Sequence, residues 1–166
     1  MAEAFNDKTI NGDKAQRYAA VTEEIASVLE GEPNVVARMA TVVSMLNATF
    51  DHYFWTGFYL VDLTKPDELV VGPYQGTLGC LRIPFGRGVC GAAARERQTQ
   101  VVEDVHAFPG HIACDAASRS ELVVPVTKDG MLIAVLDLDS PEPARFDAED
   151  AAGCEALAAL LAERLI

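Results

Sequence analysis

The feature that most constrains the fold is a turn dipeptide, Asp129-Gly130, placed between two apolar runs. Residues 122–127 precede it and residues 131–138 follow it, and both runs are rich in branched apolar residues. Asp-Gly in this setting is a strong signal of a β-hairpin, because both turn positions need a positive φ. The sequence therefore predicts an antiparallel pair of strands in this part of the chain.

Other segments predict more strands and a set of helices. Tyr53 to Val61 is rich in aromatic and branched residues and predicts a strand. Shorter strands are expected at 69–71, 81–83 and 100–102. Helices are expected at 13–30 with Asp13 as N-cap, at 35–50, at 88–97, and from Asp147 to about Leu165. Antiparallel strands with helices at both ends of the chain predict an α+β domain.

Length and composition limit the class of protein. The chain has 166 residues, of which 50% are hydrophobic and 23% charged. We therefore expect one domain over residues 1–166 with its core at about 15–163. The net charge of −12 argues against nucleic acid and against an anionic membrane surface as partners.

The compartment follows from two expectations. Residues 1–7 show no basic region with an apolar run behind it, so no signal peptide is visible. No apolar stretch approaches the roughly 18 residues that a membrane helix needs. We expect a cytoplasmic protein, in which cysteines stay thiols unless chemistry uses them.

Four cysteines are too few for a disulfide scaffold, and no C-x-x-C pair is present. Cys80, Cys90 and Cys114 cluster within one stretch of the middle of the chain. Cys154 instead shares an apolar helical face with Leu157, Ala158, Leu161 and Leu165. We expect Cys154 to be core packing.

Cys90 lies in a G-x-G-x-x-G match, Gly86 to Gly91. A dinucleotide site is disfavoured because Pro84 interrupts the preceding strand, the following helix is short, and no second βαβ unit follows. The better interpretation is a glycine-rich turn that opens a helix. The helix dipole would then favour a thiolate at Cys90.

Cys114 follows a loop that contains Pro109 and Gly110, so we expect it near a surface or a cleft. His111, three residues earlier, is a candidate for lowering its pKa. A loop cysteine with no role is the bland alternative. A zinc site from the three clustered cysteines and His111 is disfavoured because the ligand spacing is loose, and we expect no metal.

Acidic residues recur near these cysteines. Asp115 and Glu121 follow Cys114, and Asp137 and Asp139 end an apolar strand two residues apart, which places them on one face. They form either a solvated strand end or an acidic pocket that binds a cation or donates a proton.

Trp55 and Tyr59 lie four residues apart and share one side of their strand. Both fit a core position. The tryptophan is also suited to hold an apolar methyl group or to face a cation.

Five segments carry a resemblance to one family. They are Trp55-Thr-Gly-Phe-Tyr-Leu, Gly72-Pro-Tyr-Gln-Gly, Arg82-Ile-Pro-Phe-Gly-Arg-Gly-Val-Cys-Gly, Glu103-Asp-Val-His-Ala-Phe-Pro-Gly-His-Ile-Ala-Cys-Asp-Ala-Ala-Ser and Val135-Leu-Asp-Leu-Asp-Ser. With all three clustered cysteines in these contexts, the chain resembles the free methionine-(R)-sulfoxide reductases, which are compact GAF-domain enzymes. The resemblance covers about residues 15 to 163.

The resemblance implies a single GAF domain that reduces free methionine (R)-sulfoxide and needs no cofactor. It makes Cys114 the nucleophile that becomes a sulfenic acid and Cys80 the resolving thiol that forms a disulfide with it. A thioredoxin-type protein would reduce that disulfide. Cys90 also matches a family cysteine and is either the alternative nucleophile or a second resolving thiol.

By the same resemblance, Glu121, Asp137 and Asp139 form the substrate pocket, where carboxylates would select the α-ammonium group of the free amino acid. Trp55 and Tyr59 would contact the methylthio end. The family leans to homodimers, so a dimer is expected. The alternative is a non-catalytic GAF module that binds a small ligand or senses redox state, and turnover with substrate distinguishes the two.

Overall fold

The structure, a computed structural model, describes residues 10–164 and contains the predicted mixture of helices and strands. The helices are α1 (Lys14–Val28), α2 (Val35–Thr49), α3 (Gly88–Glu96) and α4 (Ala148–Arg164). The strands are β1 (Trp55–Asp62), β2 (Lys65–Gln75), β3 (Arg82–Pro84), β4 (Gln100–Val102), β5 (Ser120–Lys128) and β6 (Met131–Ser140). The α+β class is thus confirmed. The expectations that concern residues 1–7 and Leu165 lie outside the described residues.

All six strands form one sheet in the order β3-β2-β1-β6-β5-β4, and every neighbouring pair is antiparallel. Its best-paired unit is the hairpin of β5 and β6, in which Asp129 and Gly130 have φ of 51° and 77°. Both values are positive, as the Asp-Gly turn requires, so the hairpin prediction is confirmed.

The two faces of the sheet pack against different layers. On the core face, side chains such as Phe58, Leu122 and Leu136 join the apolar residues of α1, α2 and α4. On the opposite face, the pocket face, Tyr59, Val123 and Val135 pack against α3 and the loops around it. The period of two along each strand therefore separates a large apolar core from a second, smaller cluster.

The helices of the core face begin where the sequence predicts. The Asp13 carboxylate accepts a hydrogen bond from the Gln16 amide, and the Gln16 side chain accepts one from the Asp13 amide, which together form a capping box. Asn34 caps α2 in the same sense through the Ala37 amide. Cys154 is fully buried in the core, which confirms its packing role.

Strand β2 is longer than predicted. The sequence predicts strand only at 69–71, yet the strand spans Lys65–Gln75 and contains Pro66 and Pro73. Neither proline occupies a paired position in the register with β1 or with β3, so neither removes a ladder hydrogen bond. Among residues 10–164, no helix is long and apolar enough to cross a membrane.

Candidate active site

Two rows of paired residues that cross β1, β6 and β5 form the base of the candidate site on the pocket face. In one row, Trp55 of β1 pairs with Asp139 of β6, which pairs with Glu121 of β5. In the next, Gly57 pairs with Asp137, which pairs with Val123. Because alternate residues face the same side, Asp137 and Asp139 point together, as the sequence predicts. Antiparallel pairing then adds Glu121 to them.

These rows form the floor of a pocket with an empty volume of about 540 Å³, open solvent at its mouth included. The start of α3 and two loops, 78–79 and 111–118, build the walls. The predicted site residues that line the pocket are Trp55, Tyr59, Cys90, Cys114, Glu121, Asp137 and Asp139.

The three carboxyl groups of the floor hold protons more tightly than usual. Glu121 is 7% and Asp137 5% exposed, and burial, followed by the neighbouring acids, raises the pKa of each well above its ordinary value. Burial also raises the pKa of Asp139 to about 6, although the Ser118 hydroxyl donates to its Oδ1. Like charges this close cannot all ionise, so the cluster keeps a proton available near neutral pH.

Cys90 differs from its sequence-based expectation. Its thiol is buried and donates to Glu121, with 3.8 Å between Sγ and Oε1. Burial first, and then Asp137 and Glu121, raise the pKa of Cys90 well above its ordinary value. The expected thiolate at this helix start is therefore wrong, because a helix terminus contributes at most about 2 kcal/mol and burial among carboxylates opposes it.

Cys80 and Cys114 form a disulfide with their Cα atoms 5.4 Å apart. Cys114 is exposed and lies at the rim of the pocket, as its loop position predicts, while Cys80 is half-buried. The disulfide uses two of the four ligands of the zinc site considered from the sequence. Cys90 lies instead with Glu121 and Asp137, so that alternative is not supported.

A hydrogen bond ties the two cysteine-bearing loops together. The Thr77 hydroxyl donates to Asp115 Oδ2 at 2.5 Å, and these residues lie three positions before Cys80 and directly after Cys114. The backbone oxygen of Thr77 in turn accepts from the indole N–H of Trp55 at 3.0 Å. The loop that carries Cys80 is thereby anchored to both the sheet and the opposite loop.

Trp55 and Tyr59 stack with their ring centroids 5.6 Å apart, and Tyr74 also stacks on Trp55, with 5.0 Å between the centroids. Gly79 passes so close that a Cβ there would lie 2.9 Å from the indole ring. The two aromatic rings are thus both buried packing and pocket wall. A loop without a side chain at position 79 is what lets the chain close over them.

His111 lines the pocket, but its chemistry differs from expectation. Burial, and then the nearby His106, lower its pKa below the ordinary value. At neutral pH the ring is therefore uncharged, and it does not supply the positive charge that would lower the pKa of Cys114.

Two polar pocket residues, Arg87 and Ser118, were not found from the sequence. Arg87 precedes α3 as its N-cap residue and is the one Lys or Arg among the described residues that line the pocket. Ser118 holds Asp139 in place by a hydrogen bond. The place of Arg87 between Gly86 and Gly88, at the predicted helix start, was the available signal for the first. Nothing in the sequence pattern singled out the second.

The fold and the pocket define a GAF domain with a cysteine pair at the mouth of its ligand pocket. The family model described as "GAF domain" matches residues 13–165. The chain is 44% identical over 149 residues to free methionine-R-sulfoxide reductase of Escherichia coli, covering 90% of this chain and 88% of that protein. It is 38% identical over 137 residues to the Saccharomyces cerevisiae protein of the same name, covering 80% and 76%.

A solved structure agrees with these relatives. The free methionine-R-sulfoxide reductase of Neisseria meningitidis, in complex with its substrate, is 49% identical with a TM-score of 0.90 and covers 99% of this chain and 95% of that one. The chain belongs to the free methionine-R-sulfoxide reductase family. The family and the GAF fold predicted from the sequence motifs are confirmed.

Proposed function

We propose that this protein reduces the R epimer of free methionine sulfoxide to methionine, with its own thiols as the immediate source of electrons. The observation that carries the proposal is the disulfide of Cys80 and Cys114 at the mouth of a pocket floored by three carboxyl groups, of which those of Glu121 and Asp137 are buried. The pocket can hold an amino acid by its charged end and present its sulfur to a cysteine at the rim.

The acidic floor would bind the α-ammonium group through Glu121, Asp137 and Asp139. Within residues 10–164, Asp137 Oδ1 is buried without a hydrogen-bond partner, so a donor from the ligand would satisfy it. A methionine within a peptide has no ammonium group and would leave that oxygen unpaired. Arg87 at the rim offers a partner for the carboxylate, so the pocket complements a zwitterion.

Trp55 and Tyr59 would contact the methylthio end of the ligand. Their stacked rings form an apolar wall of the pocket. An apolar surface suits a methyl group, and the face of the indole suits the positive charge that a sulfoxide sulfur gains on protonation of its oxygen.

The chemistry starts from the Cys114 thiol. Its thiolate attacks the sulfoxide sulfur while a protonated carboxyl group of the pocket donates to the sulfoxide oxygen. The transient bond between Sγ and the substrate sulfur and the S–O bond of the substrate then break, the hydroxyl group passes to Sγ, and methionine leaves with Cys114 as a sulfenic acid. The raised pKa values of Glu121, Asp137 and Asp139 support a carboxyl group as the proton donor.

Cys80 completes the cycle. Its thiol attacks the sulfenic acid of Cys114, a disulfide forms and water leaves. A thioredoxin-type dithiol then attacks this disulfide, is itself oxidised, and returns both thiols. The exposed position of Cys114 supports such an exchange, because an external thiolate has to reach one of the two sulfurs.

Cys90 is the weaker candidate for the nucleophile. Its sulfur is buried, its pKa is raised, and it donates to Glu121, all of which keep it a neutral thiol. Its place beside the floor leaves it the role of a second resolving thiol.

We further propose that the protein is a homodimer, which the family resemblance supports and light scattering tests. We also propose a cytoplasmic location, which the need for a reducing compartment supports.

A coupled assay tests the proposal. With thioredoxin, thioredoxin reductase and NADPH, we expect NADPH consumption with free methionine (R)-sulfoxide and little with the S epimer or with the sulfoxide in a peptide. A reduced, folded protein that shows no turnover of the free R epimer would contradict the proposal. It would favour the non-catalytic GAF module, since a sensor can form the same disulfide without turnover.

A further inference from the structure

A convergence of three different side chains on the pocket floor supports a second kind of ligand. Cys90 of α3, Glu121 of β5 and Asp137 of β6 each offer one ligand atom, and these atoms lie within 4.8 Å of one another. The Cys90 Sγ to Glu121 Oε1 distance is 3.8 Å. A tetrahedral zinc ion with bonds of about 2.0 to 2.3 Å separates its sulfur and oxygen ligands by about 3.5 Å, so the pair needs only a small adjustment.

A second observation points to a ligand at the same place. Asp137 is 5% exposed and lines the pocket, yet its Oδ1 has no hydrogen-bond partner in the described part of the chain, residues 10–164. A buried carboxylate oxygen without a partner is costly, so native proteins normally satisfy it. Either an ammonium group or a metal cation would do so here.

We propose that the pocket binds one divalent cation of the zinc class through Cys90, Glu121 and Asp137, with the fourth position open to the pocket. Sulfur as a ligand argues against Mg²⁺ and Ca²⁺, which take oxygen ligands. Two carboxylates argue against Cu(I), which selects sulfur. Three protein ligands with one open position is the arrangement of accessible zinc sites rather than of structural ones.

Binding exchanges protons for the metal ion. The Cys90 thiol loses its proton to become a thiolate ligand, and the acid pair gives up any proton that it shares, so protons are released to solvent. The two positive charges of the ion also offset the repulsion between the carboxylates of Glu121 and Asp137, which a shared proton reduces in the metal-free protein. Affinity should therefore rise with pH.

The site overlaps the floor that would hold the substrate ammonium group, and this consequence rests on the proposed function. Zinc and free methionine sulfoxide would then exclude each other, and zinc would act as a competitive inhibitor. The binding itself does not depend on turnover, so the two claims fail separately.

The disulfide form of the protein gives the sharpest test. With Cys80 and Cys114 joined, Cys90 and Cys154 are the free thiols, and a site built from the paired cysteines is blocked. Co²⁺ is titrated into this metal-free protein under anaerobic conditions, and thiolate-to-cobalt charge-transfer absorption is recorded. We expect one Co²⁺ per chain, displacement by Zn²⁺, and no displacement by Mg²⁺.

Variants assign the ligands. Cys90→Ser should abolish the charge-transfer band, and Asp137→Asn should weaken Co²⁺ binding at least about tenfold. Cys154→Ala, which removes the other thiol, should leave both unchanged. Absence of the band in the wild-type protein, or a band that survives Cys90→Ser or is lost in Cys154→Ala, would overturn the proposal. If Cys90→Ser does not fold, unchanged affinity in Asp137→Asn overturns it equally.

Discussion

At the scale of a single residue, the carboxyl group of Asp139 lowers the stability of the fold when it ionises. Its pKa is raised to about 6 by burial, from 3.8 in the unfolded chain. Between these two values the folded protein binds more protons at Asp139 than the unfolded one, so the contribution of Asp139 to stability falls as pH rises from about 4 to 6 and is level above that. Two pKa units correspond to about 3 kcal/mol, an upper bound because Asp139 keeps some solvent contact.

Asp139→Asn should therefore stabilise the protein at neutral pH. Asparagine carries no charge and can still accept the hydrogen bond of Ser118. We expect the free energy of unfolding at pH 7.5 to rise by about 1 to 3 kcal/mol and its decline between pH 4 and 6 to flatten, while kcat/KM falls. Urea denaturation at several pH values measures this.

Asp67→Asn is the matched control, because Asp67 is exposed on β2 and is not one of the residues that line the pocket. It should change neither the stability nor its pH dependence. A loss of stability in Asp139→Asn at pH 7.5 would show that the ionised carboxylate is instead a stabilising partner.

At the scale of elements, α4 is held to α1 by a buried charge. Asp150 is completely buried, accepts from the Tyr18 hydroxyl at 2.9 Å and from Lys14 Nζ at 2.7 Å. Asp147, one turn earlier, pairs with the same Lys14 at 2.7 Å, but its side chain is 56% exposed. Lys14 thus forms one ion pair with a completely buried carboxylate, Asp150, and one with an exposed carboxylate, Asp147.

Asp150→Ala should cost about 3 to 5 kcal/mol of unfolding free energy, because it removes a completely buried carboxylate that accepts from Lys14, Tyr18 and the Asp147 amide. Asp147→Ala should cost about 1 kcal/mol, mostly through the lost cap of α4. Urea denaturation of both variants gives the comparison. Equal losses of unfolding free energy in the two variants would show that burial does not determine how much each ion pair stabilises the fold.

The two cysteine loops are a second case in which elements act together. The Thr77 to Asp115 hydrogen bond joins the loop of Cys80 to the loop of Cys114. Thr77→Val removes the donor at nearly constant size. We expect disulfide formation to slow by about 2- to 10-fold, the rate equivalent of one hydrogen bond, with methionine release unchanged.

A rapid-quench single turnover separates these two steps. Thr64→Val is the control, since the Thr64 hydroxyl makes a similar bond to Asp62 in the turn between β1 and β2. A Thr77→Val variant that forms its disulfide at the wild-type rate would show that the loops align without this bond.

The elements themselves were largely predictable, because hydrophobic period, caps and the Asp-Gly turn are local signals. Asp13 capping α1 and the turn at Asp129 are read directly from sequence. The extent of β2 was not, because the harmlessness of Pro66 and Pro73 depends on which β2 residues pair with its neighbours. The register depends on the neighbouring strands, so the sequence of one strand does not show which of its residues are paired.

The site divides in the same way. The common face of Asp137 and Asp139 follows from their spacing, and the structure confirms it. The approach of Glu121 to them depends on the pairing of β5 with β6, and only the family resemblance indicated it. The charge state of Cys90 was mispredicted, because burial and two acids on β5 and β6 raise its pKa by more than the start of α3 can lower it.

On the scale of the whole molecule, the sheet separates stability from chemistry. Its core face carries most of the buried apolar side chains with α1, α2 and α4, while its pocket face carries the acidic floor and faces α3 and the loops that bear Cys90 and the disulfide. A large core can offset the cost of acids that repel one another. This arrangement explains how a chain of 166 residues keeps such a pocket folded.

The central claim is that Cys114 reduces free methionine (R)-sulfoxide and that Cys80 then captures it. A single turnover tests this most directly: reduced protein is mixed with the free R epimer without external reductant, and methionine and disulfide are measured by mass spectrometry. We expect one methionine per chain with a Cys80–Cys114 disulfide in the wild type, one methionine without that disulfide in Cys80→Ser, and none in Cys114→Ser. Methionine released by Cys114→Ser, with Cys90→Ser inactive, would contradict the account.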